Sequence, residues 1–126
     1  IETEDDTILV RRRVRDIAEL RKFDSFATAA ITTATSELAR NVLVHAGKGL
    51  ALIEELTNGN RFGIRITFED AGPGISDVPR VLAGGFSTAR SMGLGVSGSK
   101  RLVDEFTIDT APGKGTKVSI VKWKRY

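Results

Sequence analysis

Cysteine is absent from the 126 residues, which excludes disulfides, thiolate metal sites and thiol nucleophiles together and fits a reducing compartment. Histidine occurs once, as His45, so a His-based metal cage is hard to build and a Ser-His-Asp triad would rest on that residue alone. A metal, if used, should be bound by oxygen. No apolar run approaches the ~20 residues of a membrane helix. The opening Ile-Glu-Thr-Glu-Asp-Asp has neither the basic nor the apolar region of a signal peptide and reads as a trimmed strand. We therefore expect a cytoplasmic protein that does not enter a membrane. The length is about that of one domain, so residues 1–126 are read as a single unit.

The net charge of +3 is modest but unevenly spread, with Arg11, Arg12, Arg13 and Arg15 near the start and Lys122, Lys124 and Arg125 near the end. Such clusters bind nucleic acid or an acidic protein face, or simply form a solvated helix face. No aromatic residue interleaves with the arginines to stack on bases, so nucleic acid ranks low.

Apolar residues Ile8, Leu9, Val14, Ile17, Ala18 and Leu20 recur at helical spacing and predict a first helix from Thr7 to Phe23, with Asp5 or Asp6 as N-cap. A second begins after Asp24 or Ser25, carries Phe26, Ala30, Ile31, Ala34, Leu38 and Val42 on one stripe, and stops at Gly47. Leu50 to Leu56 and Phe62 to Glu69 read as a hairpin joined across residues 57–60. A short helix over Val78 to Leu82 precedes a small-residue loop, 84–93, that reads as a mobile lid. A third main helix runs from Leu94 or Gly95 to Val103, and strands Glu105 to Thr110 and Thr116 to Trp123 close the chain. Two hairpins with helices between them predict an α+β, two-layer sandwich: a mostly antiparallel sheet with helices on one face.

Three short segments carry chemistry: Ser-Glu-Leu-Ala-Arg-Asn at 36–41, Asp-Ala-Gly-Pro-Gly at 70–74 and Gly-Leu-Gly-Val-Ser-Gly at 93–98. Glu37 and Asn41 lie one helical turn apart, so both leave the same face. The amide oxygen of Asn41 can ligate a hard cation such as Mg, which needs only one or two protein oxygens when phosphates supply others. Glu37 then stays free to accept a proton from a hydroxyl or water. Asp70 ends an apolar strand, and Gly72 and Gly74 let a flat ring approach the backbone. A carboxylate only accepts hydrogen bonds, so it selects the exocyclic amine of adenine over the carbonyl of guanine. The glycines at 93, 95 and 98 match a dinucleotide fingerprint in spacing but follow a long Ser/Gly loop instead of a strand, and no Gly-Lys-Ser/Thr makes a P-loop. What survives is a helix N-terminus that exposes backbone N–H groups to phosphate. Thr116 could set a hydroxyl beside Asp70 if their strands are neighbours; Arg90 and Lys100 flank the glycine loop; His45 reads as a helix-end cap. Each segment has a bland counterpart: a surface Glu/Asn pair, a turn-capping Asp, a structural glycine turn.

In this order the segments resemble the asparagine box and two glycine boxes of the GHKL superfamily, which groups gyrase and histidine kinases by a shared ATP-binding (Bergerat) fold. Together with His-Ala-Gly-Lys-Gly, Gly-Phe-Ser-Thr and Lys-Arg-Leu-Val-Asp-Glu-Phe, they are most similar to the serine/threonine switch kinases of bacterial stressosomes, relatives of the anti-sigma factor kinases. The resemblance implies MgATP as cofactor, Asn41 as metal ligand and Glu37 as catalytic base. It implies an adenine pocket of Asp70, Gly72, Gly74, Ile75 and Thr116, and phosphates lined by Gly93, Leu94, Gly95, Val96 and Gly98. It further implies a STAS-domain scaffold or antagonist as phosphoacceptor, a PP2C-type phosphatase as a further partner, and leaves a homodimer open. Two departures stand out: the usual first strand is shortened to around Ile1 to Glu4, and the turn Arg21-Lys22-Phe23 lacks the glycine often found there. The leading function is protein serine/threonine phosphoryl transfer; the alternatives are a histidine-kinase-like domain acting in trans and an ATP-dependent sequestering switch with little catalysis.

Overall fold

A computed structural model describes residues 1–72, 98–110 and 112–124. The expected helix over Val78 to Leu82, the lid at 84–93 and the start of the third helix lie outside the described residues. Helix α1 spans Glu4–Leu20, three residues earlier at each end than the apolar spacing predicts. Its N-cap is Thr3, not Asp5 or Asp6. The Thr3 hydroxyl accepts the Asp6 N–H at 3.3 Å, and Asp6 Oδ2 accepts the Thr3 and Glu2 N–H groups at 3.0 and 2.8 Å. This reciprocal box satisfies donors that a helix start otherwise leaves open. Those backbone donors, Glu2 first and Thr3 second, hold the Asp6 carboxyl below its ordinary value. At the other end Lys22 adopts φ 62°, doing as a lysine what the missing glycine would do more cheaply.

Helix α2, Ser25–Ala46, starts on the Asp24 carboxylate, which accepts the Ala27 N–H at 2.7 Å, and ends where Gly47 takes φ 82°. Both boundaries agree with the sequence. The stripe needs one correction: Phe26 is 82% exposed, and Ala27 is buried in its place. A row of every fourth residue drifts by about 40° per step on a 3.6-residue helix, so a row centred on Ala34 and Leu38 has rotated out of the core by residue 26. Ile8, Leu9 and Leu20, assigned to the core stripe of α1, are likewise exposed, while Val10 and Ile17 pack beside Val14 and Ala18.

Among the described residues four strands form one antiparallel sheet in the order β1-β2-β4-β3, with β1 at Leu50–Asn58, β2 at Arg61–Asp70, β3 at Glu105–Thr110 and β4 at Thr116–Trp123. The first hairpin is tighter than the four-residue link expected, since Asn58 already pairs with Arg61 and Gly59 supplies the positive φ that a two-residue turn requires. Alternation buries Ile64, Ile66 and Phe68 of β2 and Val118 and Ile120 of β4 against Ala34, Leu38 and Val42 of α2. Each large side chain contributes roughly 1.5–3 kcal/mol on burial. Residues 98–102 form the described part of α3, held on α2 by Ser99, which is 1% exposed and donates to the Ala34 carbonyl at 3.5 Å. The helices thus share one sheet face, as expected. No strand forms at Ile1 to Glu4: Ile1 exchanges two backbone hydrogen bonds with Gly49, at 2.7 and 2.9 Å, and Glu4 is already helical.

Candidate nucleotide site

Along α2 a polar row runs beside the apolar stripe. Glu37, Asn41 and His45 are spaced by one turn each and so share a face. Glu37 is half-buried, Asn41 is 8% exposed, and His45 is half-buried. Asn41 Nδ2 and His45 Nε2 are buried without a hydrogen-bond partner among the described residues. An amide or imidazole nitrogen so placed normally finds a partner, and leaving it unpaired costs about 1–3 kcal/mol. Among the described residues two such atoms stand on successive turns of α2.

Opposite the end of α2, β2 delivers Asp70 and β4 delivers Thr116, and the two are direct cross-strand partners. The neighbour relation on which Thr116's reading depended therefore holds. Thr116 exchanges a hydroxyl hydrogen bond of 2.9 Å with Thr110, whose own hydroxyl is also 2.9 Å from the Gly115 carbonyl. Asp70 Oδ1 accepts the Gly72 N–H at 2.9 Å, forming the tight turn that ends β2. Gly72 is required by packing, because a Cβ there would sit 2.8 Å from that of Ala46. Gly115 combines φ 77° with a close approach to the Asp70 carbonyl. Gly98 differs, since a Cβ there meets nothing within 4 Å among the described residues and its φ is not positive. Its lack of a side chain answers to no neighbour in the described chain.

A cavity of about 770 Å³ wraps the strand ends, lined by Ala46, Asp70, Ala71, Thr110, Gly115 and Thr116 among others. Glu37 and Asn41 are not among its lining residues; they lie further back along α2. His45, also outside the lining, lies near enough to Asp70 to feel its charge. Burial depresses its pKa below 6.5, and the nearby Asp70 charge partly offsets that. The sequence assigned His45 to capping; it stands in the last turn of α2, and its buried Nε2 has no partner among the described residues. Gly74, Ile75, Gly93, Leu94, Gly95, Val96 and Arg90 lie outside the described residues, and Lys100 is exposed.

Among the described residues no group of three or more His, Asp or Glu could hold a metal. The donor that fits a cation is the Asn41 amide, neutral and buried with its nitrogen unpaired, which suits an ion carried largely by phosphate and water.

A helical hairpin and α3 on one face of an antiparallel sheet, with buried unpaired polar groups beside the strand ends, is the architecture of a nucleotide-binding α/β sandwich. Residues 27–125 match the model of the family described as histidine kinase-, DNA gyrase B-, and HSP90-like ATPase, and the chain belongs to that family. It is 43% identical over 99% of its length to serine/threonine-protein kinase RsbT of Bacillus subtilis (strain 168), covering 94% of that protein. That likeness puts it among the serine/threonine-protein kinases. It is also 31% identical over 75% of its length to the anti-sigma F factor of Thermoanaerobacter sp. (strain X514), covering 69% of it. Among solved structures, full-length ShkA in complex with AMPPNP superposes with a TM-score of 0.56 at 17% identity, over 79% of this chain and 22% of ShkA. The histidine kinase domain of the Erythrobacter litoralis blue-light activated kinase superposes with a TM-score of 0.55 at 25% identity, over 77% of this chain and 44% of that one. The ShkA likeness speaks to the fold alone.

Proposed function

We propose that the chain transfers the γ-phosphate of ATP to a serine or threonine of a STAS-domain scaffold or antagonist protein, as the kinase of a bacterial stress-signalling partner switch in the cytoplasm. The class of enzyme rests on the near full-length likeness to RsbT and the partner-switch setting on the likeness to an anti-sigma factor. The observation that carries the site is the buried Asn41 amide, whose nitrogen has no partner among the described residues, one turn from Glu37 on the helix that ends beside Asp70. In this reading Asn41 Oδ1 is the protein ligand of Mg, whose bound charge would neutralise the phosphates. Glu37 accepts the proton of the acceptor hydroxyl as its oxygen attacks the γ-phosphorus, while the bond to the β-γ bridging oxygen breaks and ADP leaves. Asp70 accepts from the adenine amine, with Gly72, Gly74, Ile75 and Thr116 completing the pocket. Gly93, Leu94, Gly95, Val96 and Gly98 give backbone N–H groups to the phosphates. Residues 1–126 act as one catalytic domain, with a PP2C-type phosphatase as a further partner of the released kinase.

The test is transfer of labelled γ-phosphate to a STAS-domain protein encoded nearby, with Asn41→Ala as control. Acid-stable phosphate that depends on Asn41 is expected; acid-labile phosphate would instead identify a histidine acceptor. The anti-sigma factor likeness favours one second reading, a switch that binds ATP and sequesters a regulator with little catalysis. Full control of the partner by a Glu37→Gln variant in a reconstituted system would select that reading over the kinase.

A further inference from the structure

Three adjacent strands turn polar at the same row of the sheet. On the helix-facing side β2 carries Ile64, Ile66 and Phe68 and then Asp70, β4 carries Ile120 and Val118 and then Thr116, and β3 carries Phe106 and Ile108 and then Thr110. The register sets Asp70 opposite Thr116 and Thr116 opposite Thr110, directly beyond the apolar row of Phe68, Val118 and Ile108. All three polar residues line the cavity of about 770 Å³. Thr110 enters neither the base pocket nor the phosphate loop of the proposed site, yet it closes this row.

Hydroxyl chemistry gives the row a direction. A threonine hydroxyl has one proton to donate and two lone pairs with which to accept. The Gly115 carbonyl can only accept, so the Thr110 hydroxyl, 2.9 Å away, directs its proton there. The 2.9 Å bond between the Thr110 and Thr116 hydroxyls then takes its proton from Thr116. Donation in the opposite sense would forfeit the Gly115 bond, and hydroxyls linked in one sense polarise each other favourably. With its proton committed to Thr110, Thr116, 9% exposed, offers the cavity a lone pair. The Asp70 carboxylate beside it also only accepts. An exocyclic amine brings two N–H groups to such a pair of acceptors, whereas a carbonyl brings lone pairs against lone pairs. We infer that Thr110 is a positioning residue for nucleotide selectivity: by taking the Thr116 proton it holds Thr116 as an acceptor beside Asp70, so that the pocket favours a 6-amino purine nucleotide over a 6-oxo one. The inference rests on the base-pocket part of the proposed function and deepens it, and it does not depend on phosphoryl transfer.

The experiment compares equilibrium binding of ATP and of inosine triphosphate, which carries a carbonyl where adenine carries its amine. Titrations use the parent chain, Thr110→Val, Thr110→Ala and Thr110→Ser, with the unfolding midpoint recorded for each. The parent should prefer ATP. In Thr110→Val the Thr116 hydroxyl is free to turn and donate, so the preference should narrow by about three- to tenfold, the range set by one neutral hydrogen bond. Thr110→Ala, the variant to read if Thr110→Val does not fold, should narrow it likewise, and Thr110→Ser should restore it. In a Thr116→Val background, which lacks the hydroxyl that Thr110 orients, Thr110→Val should leave the preference where Thr116→Val alone sets it. A merely structural Thr110 would weaken both nucleotides alike, and an unchanged preference in folded Thr110→Val or Thr110→Ala overturns the inference. So does a narrowing that persists in full in the Thr116→Val background. Asp70→Asn separates the two levels: if it erases the preference while the Thr110 variants keep it, the base pocket stands and the role of Thr110 falls. A parent that does not distinguish the two nucleotides, or an Asp70→Asn variant that distinguishes them as well as the parent, removes the base pocket and the inference together.

Discussion

The two ends of the sheet treat their polar groups in opposite ways. At the end near Trp123 nearly everything is paired: the indole N–H donates to Glu105 at 2.7 Å, its backbone N–H donates to Asp104 at 2.7 Å, and Lys122, 8% exposed, lies 3.7 Å from the same Asp104 carboxylate. Arg61 stacks 4.7 Å over the ring. Toward the end near Asp70, Asn41 and His45 keep buried nitrogens without partners among the described residues. Satisfied polar networks stabilise and specify a fold, whereas buried donors left open are costly unless a ligand completes them. The first end therefore holds the sheet together, and the second is the end at which the proposed site lies.

Mutations at the two ends should separate these roles. Replacing Glu37 with Ala should lower phosphotransfer about 10²- to 10⁴-fold with nucleotide binding kept, read by single-turnover assay beside equilibrium ATP titration; unchanged turnover would remove Glu37 from the mechanism. Asp70→Asn deletes a charge-assisted acceptor worth roughly 1.5–3 kcal/mol, so ATP affinity should fall by about ten- to a hundredfold while the unfolding midpoint moves little. At the opposite end the pattern should invert. A Cβ at Gly63 would lie 2.6 Å from the Trp123 ring, so Gly63→Ala should destabilise by about 1–3 kcal/mol in urea unfolding with ATP affinity unchanged. Loss of ATP binding in folded Gly63→Ala protein would break the division between the two ends.

The smallest effect is with pH. His45 has a folded pKa below 6.5, chiefly through burial. The unfolded chain therefore takes up the proton first as pH falls, so this contribution to stability is complete above 6.5 and is lost below it, toward the lowered folded value. A His45→Gln variant should show a flatter stability profile below 6.5 than the parent in urea titrations. Identical profiles would mean that His45 is not held neutral by its surroundings.

How much of this was legible in the chain depended on how local the rule was. The ends of β3 and β4 and both caps of α2 follow from turn glycines, an Asp N-cap and strict alternation, all written within a few residues. The start of α1 was misplaced because its capping box lies among Glu2, Thr3 and Asp6, ahead of the apolar spacing used to find it. Phe26, Ile8, Leu9 and Leu20 were assigned to the core and are exposed, since periodicity identifies a face but not which edge of that face the sheet covers. The pairing of Asp70 with Thr116 could only be conditional, as it joins positions on strands far apart in sequence.

By itself the sequence determined the order and type of the described elements, the absence of thiol chemistry, and the placement of Glu37, Asn41 and His45 on one face of one helix, because helix and strand periods act over single turns. Only the tertiary structure decided that Asn41 Nδ2 and His45 Nε2 would be buried with no partner among the described residues, that Thr116 would stand beside Asp70, and that the arginines of α1 would face solvent. Those outcomes depend on which surfaces meet when α2 packs on β2 and β4, and burial is a property of that contact, not of any one segment.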